Sequence, residues 1–80
     1  MPYDLGGRAY IVTGGAGDIG FAAAERLDAD GALVALFDVD EAAGRRRLSR
    51  LGRRESRFYR VDVSDSATVD AAFAEVLRDF

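Results

Sequence analysis

The sequence predicts an α/β fold, a doubly wound parallel sheet of which these 80 residues supply the first β-α-β-α-β-α half. Three observations predict it. Short apolar runs alternate with longer stretches of helical periodicity. The second run, ALVALFD at 32–38, is nearly continuous in apolar residues, as a strand buried on both faces of a parallel sheet is. The first run ends in a glycine-dense turn, VTGGAGDIG at 12–20, that opens directly into a helical segment. Strands joined by helices of this length require crossover connections, which are right-handed.

The elements follow in order. Residues 9–13, AYIVT, are rich in strand formers. Residues 19–29 turn helical, with Ile19, Ala23 and Leu27 on one stripe, until Asp30-Gly31 stops them. After the 32–38 strand, Asp40 is placed to cap a helix over 41–51 that Gly52 ends. Its apolar face is thin (Ala43, Leu48 and Leu51), and Gly44 inside it costs about 1 kcal/mol against alanine. RFYRVDV at 57–63 is the third strand. Ser64 or Asp65 then caps a helix from 66 onward, where Val69, Ala72, Phe73, Val76, Leu77 and Phe80 make a wide apolar stripe.

The glycine turn carries the chemistry. Gly15-Ala16-Gly17-Asp18-Ile19-Gly20 matches G-x-G-x-x-G, and it is phased so that the helix opens inside the motif. Small residues let main-chain amides and the positive end of the helix dipole approach a diphosphate. Asp38 ends the second strand about twenty residues on, where a carboxylate accepts from both ribose hydroxyls of an adenosine and repels a 2′-phosphate, favouring NAD over NADP. Asp62, with Val63 beside it, ends the third strand and is placed to accept from the exocyclic amine of adenine. Asp18 is awkward, since its carboxylate cannot face a diphosphate without repulsion. It is expected to act as an N-cap, its side chain turned to the first-turn amides while its own N–H faces the phosphates.

These residues resemble the short-chain dehydrogenases/reductases, a family with a Rossmann-like sheet. The stretch from Asp4-Leu5 to Gly7-Arg8 resembles the family's lead-in, and Thr13-Gly14 to Gly20 resembles its T-G-x-x-x-G-x-G turn, except that Asp18 replaces the middle glycine. Asp38 falls at the NAD-selecting acid, and Asp62-Val63-Ser64-Asp65 resembles the adenine-holding D-V-S/T-D stretch. The turn also fits T-G-x-x-G-x-x-G of the extended branch, which holds sugar-nucleotide epimerases and dehydratases; the lead-in and the segments after it look more like the classical branch. The resemblance implies NAD contacts at Gly14, Ala16, Gly17, Asp18, Ile19, Gly20, Asp38, Val39, Asp62 and Val63. It also implies hydride transfer between NAD and an alcohol or ketone, and a homo-oligomer.

What the chain lacks is equally informative. The family's Tyr-x-x-x-Lys pair is not here, since lysine is absent and Tyr3, Tyr10 and Tyr59 read as packing residues. No catalytic residue is assigned. The expectation is the N-terminal part of a single NAD-binding domain, inactive alone, within a longer cytoplasmic enzyme; a non-catalytic dinucleotide-binding module is the alternative. Without cysteine or histidine there is no disulfide, thiol nucleophile or ordinary zinc site. No run of eighteen apolar residues suggests a membrane span. The net charge of −3 gives no reason to expect nucleic acid. Eight of the 11 arginines lie between 45 and 60, a segment with one acid, Glu55; the run is read as a solvated helix face and the loop beyond it.

Overall fold

The computed structural model of the chain describes residues 8–52 and 55–80; the lead-in before Arg8, with Tyr3, and the pair Arg53 and Arg54 lie outside the described residues. The elements alternate as β1 (Ala9–Thr13), α1 (Asp18–Ala29), β2 (Leu33–Asp38), α2 (Glu41–Leu48), β3 (Arg57–Arg60) and α3 (Ser66–Asp79). The strands form one parallel sheet in the order β1-β2-β3.

Because β2 lies in the middle, its alternate side chains feed two cores. Val34 and Leu36 face α1 and α2, packing with Phe21, Ala24 and Phe58. Ala35 and Phe37 point the other way, into a cluster with Tyr59, Val61, Ala72 and Val76, and α3 covers that face. Burial of β2 on both sides explains why its sequence is unbroken by polar residues. The buried Ser56 supports the start of this pairing, its Oγ accepting from the Val34 N–H at 2.9 Å.

Element boundaries differ from expectation in instructive places. The third strand ends at Arg60 rather than residue 63, although the Val61 N–H still donates to the Asp38 carbonyl at 3.0 Å. Beyond it, Asp62 and Asp65 build their own turn, which draws the chain out of the ladder. The second helix ends at Leu48, with two tighter turns carrying it to Leu51. The end of α1 is as expected: Gly31 takes φ +94°, and the Ala32 N–H reaches back to the Leu27 carbonyl.

The α1 stripe requires a correction. Its buried residues are Phe21 and Ala24, with Leu27 partly covered, while Ile19 is 89% exposed. Close approach of the helix to β1 at Gly20 rotates the contact face, so the aromatic ring and not the isoleucine enters the core. The α3 stripe is wider than its support. Val69, Ala72 and Val76 pack on the sheet, whereas Phe73, Leu77 and Phe80 stay substantially exposed.

The thin apolar face of α2 is completed by its arginines. The guanidinium of Arg45 lies 5.6 Å from the centre of the Phe58 ring, and those of Arg47 and Arg50 lie 4.8 and 5.4 Å from that of Phe21. Their stems and planar heads cover aromatic surface, so this part of the basic run is more than a solvated face. Gly44 has a packing reason as well: a Cβ there would enter the Phe58 ring.

Two outcomes are expected. Gly44→Ala raises helix propensity by about 1 kcal/mol, yet the clash with Phe58 leads to a net loss of about 1–3 kcal/mol, read as a lower urea midpoint. Tyr59 is the second case. Burial and the hydrogen bond its hydroxyl donates to Asp79 at 2.8 Å push its pKa from 10.0 up to about 12. The stabilisation is complete below pH 10 and is lost as pH rises from 10 toward 12. Tyr59→Phe costs about 1 kcal/mol at neutral pH and removes that alkaline loss; a stability-against-pH curve for both proteins checks it.

Candidate functional site

Parallel register builds the site. Thr13 pairs with Phe37, and Asp38 pairs with Arg60. The residues that follow each strand therefore leave the sheet side by side at its carboxyl edge. There Gly14, Asp38, Val39, Asp62 and Val63 line, with Phe37 and Val61, one open cleft of ≈ 180 Å³.

Next to this cleft the chain turns from β1 into α1. Gly14 has φ +66°, a conformation that side-chain-bearing residues rarely adopt. A Cβ at position 20 would collide with the Gly14 carbonyl, so Gly20 lets helix and strand touch. Gly17 is different. A Cβ there would meet nothing nearer than the Gly14 oxygen at 3.4 Å, an ordinary contact. Nothing in the fold itself demands glycine at 17; its effect is to keep the outer side of the turn clear.

The N-terminus of α1 is left open. Its N-cap is Gly17, no side chain caps it, and the amides of Asp18, Ile19 and Gly20 have no hydrogen-bond partner among the described residues. The other two helices contrast with it. The Asp40 carboxylate accepts from the Ala43 N–H and the Asp65 carboxylate from the Ala67 N–H, each at 3.0 Å. Among the described residues α1 is the helix whose first turn no side chain caps, and its unpaired amides and the positive end of its dipole are the chemistry of an anion seat.

The capping role expected of Asp18 is not found. An N-cap needs extended backbone, and Gly17 has it (φ −80°, ψ 166°), whereas the helix already includes Asp18. The Asp18 carboxylate instead accepts from Arg47 Nη2 at 2.8 Å. The same guanidinium donates through Nε to the Ala16 carbonyl at 3.3 Å and lies over Phe21. A basic run carries no spacing that ties residue 47 to residue 18, so this partner is not legible in the sequence. With Ala16, Ala43, Arg46 and Arg50, Arg47 borders a second hollow of ≈ 390 Å³ on the outer side of the turn.

Asp38 lies against the glycine turn. Its Oδ2 accepts from the Ala16 N–H and its Oδ1 from the Asp40 N–H, each at 3.0 Å. A carboxylate offers about four lone-pair sites, so roughly one per oxygen remains for a ligand. Asp62 closes its own turn, Oδ1 accepting from the Ser64 N–H at 3.0 Å and the Ser64 hydroxyl at 2.6 Å. These bonds hold its carboxyl below the ordinary aspartate value. Three apolar side chains, Ile19, Val39 and Val63, stand exposed just past the three strand ends.

No proton-transfer centre assembles among the described residues. Tyr10 is half-buried in β1, and Tyr59 is shifted away from the tyrosinate that a general base would need. No group of three or more carboxylates gathers as a metal site, and no helix is long and apolar enough to cross a membrane, among the described residues.

Comparison with known proteins agrees with this architecture. Residues 8–80 match the short chain dehydrogenase family, and the chain belongs to it. It is 42% identical, over 98% of its length, to a 3-beta-hydroxysteroid dehydrogenase of Comamonas testosteroni. It is 38% identical, over 96% of its length, to a 2,5-dichloro-2,5-cyclohexadiene-1,4-diol dehydrogenase of Sphingobium indicum. In each case the chain spans 30% of the relative. Among solved structures, a short-chain dehydrogenase/reductase of Brucella melitensis described as a glucose/ribitol dehydrogenase superposes with a TM-score of 0.93. It is 28% identical, over the whole of this chain and 34% of that one. These relatives are dehydrogenases by name, and the three-strand parallel sheet described above is the fold this chain shares with the Brucella melitensis structure.

Proposed function

We propose that these residues form the adenosine-diphosphate half of an NAD site in an oxidoreductase that transfers hydride between NAD and an alcohol or ketone. The observation that carries this reading is the uncapped N-terminus of α1, with three free amides beside a carboxylate that keeps lone pairs to spare. A dinucleotide fits the donor set: amides and a helix dipole for the diphosphate, a carboxylate for a diol, and an apolar slot for a base.

Each residue then has a role. Gly14 and Gly20 hold strand and helix together, so the free amides of 18–20 open where α1 meets the end of β1. Gly17 leaves that point open. Asp18, Ile19 and Gly20 contribute main-chain donors, and Ile19 an apolar surface that excludes water from the diphosphate. Ala16 fixes the Asp38 carboxylate through its N–H, and Asp38 accepts from the two ribose hydroxyls. Val39 and Val63 flank the adenine slot, and Asp62 accepts from its exocyclic amine with the oxygen that Ser64 does not use. When bound, the nicotinamide supplies a two-electron hydride acceptor or donor. The residues described here bind and orient; the proton-transfer group lies outside them. The homologous dehydrogenases support a small hydroxyl- or carbonyl-bearing substrate.

Selectivity tests the assignment. NAD is expected to bind the full-length protein at least tenfold tighter than NADP, because a 2′-phosphate would face the Asp38 carboxylate. Asp38→Ala removes both the ribose acceptor and the repulsion, a loss of about 1.5–3 kcal/mol for NAD, and reduces the preference to near unity. Calorimetric titration with both dinucleotides checks it. An unchanged preference in Asp38→Ala overturns the role of Asp38.

A further inference from the structure

The sequence places an acid in the turn best suited to an anion. We infer that Arg47 is a positioning residue for the cofactor: it holds the Asp18 carboxylate on the outer side of the turn and cancels its charge, so that the α1 amides can accept a diphosphate. The inference rests on the nucleotide-binding reading above and adds to it a residue from a different element, 29 positions away from the acid it neutralises.

The geometry supports this in three ways. First, Asp18 is the first residue of α1, so its charge lies within the helical turn whose amides are free. An uncompensated carboxylate there competes with a phosphate for the same dipole and repels it at short range. Second, Arg47 grips both ends of the turn. Nη2 reaches Asp18 at 2.8 Å while Nε reaches the Ala16 carbonyl at 3.3 Å. A planar guanidinium can make both bonds at once; an ammonium, a point donor on a mobile stem, does not hold such a bridge. Third, the guanidinium itself is fixed. It stacks over the buried Phe21 ring at 4.8 Å and is only 26% exposed, although its partner carboxylate is 98% exposed. The packed member of the pair is therefore the arginine, and the exposed acid is drawn to it.

The neighbouring charges are consistent with this arrangement. Arg50 stands near Glu25 at 3.9 Å, Arg45 pairs with Glu41 at 3.1 Å, and Arg46 has no acidic partner among the described residues. Arg47 alone of these four reaches into the glycine turn.

The test uses the full-length protein and three probes, NAD, ADP and adenosine, titrated calorimetrically at low salt. Arg47→Met keeps an unbranched stem over Phe21 and removes the charge. It is expected to weaken NAD and ADP three- to tenfold while changing adenosine less than 1.5-fold, because adenosine carries no phosphate. Adding Asp18→Asn to Arg47→Met should restore NAD and ADP to within twofold of the wild type. Asp18→Asn alone, which does not disturb the arginine's packing, leaves the Arg47 charge unbalanced and should tighten ADP three- to tenfold while changing adenosine less than 1.5-fold. An equal loss for adenosine and ADP would show a merely structural role and overturn the inference. So would a double variant as weak as Arg47→Met, or no gain in ADP affinity from Asp18→Asn alone. Wild-type protein that binds none of the three probes overturns the nucleotide-binding reading itself. Wild-type binding without rescue overturns only the part assigned to Arg47.

Discussion

The carbonyl of Gly14 occupies the place where a side chain on residue 20 would be, and the rest of the structure depends on that contact. It brings α1 down on β1 at the helix's first turn. With that end fixed, the aromatic ring of Phe21 swings under the helix and into the core shared with Leu36 and Phe58. Ile19, two residues earlier and about 200° round the helix, is left outside. The same contact sets the first turn of α1 against the end of β1, at the carboxyl edge of the sheet. A larger residue at 20 would lift the helix, and core and anion seat would be lost together.

Parallel topology then supplies the other half of the site at no added cost in chain length. Every strand in a parallel sheet ends on the same edge, so residues that terminate β1, β2 and β3 become neighbours although they lie far apart in sequence. The register of Thr13 with Phe37 and Asp38 with Arg60 converts three separate motifs into one cleft. Within it the Asp38–Ala16 hydrogen bond links the second strand to the first turn, so the carboxylate proposed to hold the ribose and the turn proposed to seat the diphosphate fix each other in position.

Much of this was legible because it depends on local pattern. The apolar run of β2, the glycine phasing, Gly31 as a helix stop, and Asp40 and Asp65 as caps each express a short-range rule, and each is found where the residues indicated. The misreadings involve distance. Ile19, Ala23 and Leu27 form an acceptable stripe, and only the approach at Gly20 decides that Phe21 and Ala24 face inward. Gly44 weakens its helix by propensity, and only the Phe58 ring filling the space beside it gives the glycine a reason. Asp18 has the composition of a cap, but Gly17 takes the extended conformation and leaves the acid to an arginine in another element. Side-chain pairing across elements has no period to reveal it.

The acids of the chain show a division of labour that the capping rule alone does not explain. Among the described residues, two of the three helices are capped by their own aspartates, each of which accepts from one first-turn amide and stabilises that start by about 1 kcal/mol. At α1 the chain forgoes that gain, placing glycine at the cap and an acid one position later. An acid at that position, fully free, would still interact favourably with the helix dipole. Yet it is bound sideways, by an arginine whose stem is spent on covering Phe21 and whose head also holds the Ala16 carbonyl. Stability of α1 by itself favours neither choice. Both follow if the end of this helix is reserved for an anion that is not part of the protein, and if charge near that end must be balanced before the anion arrives.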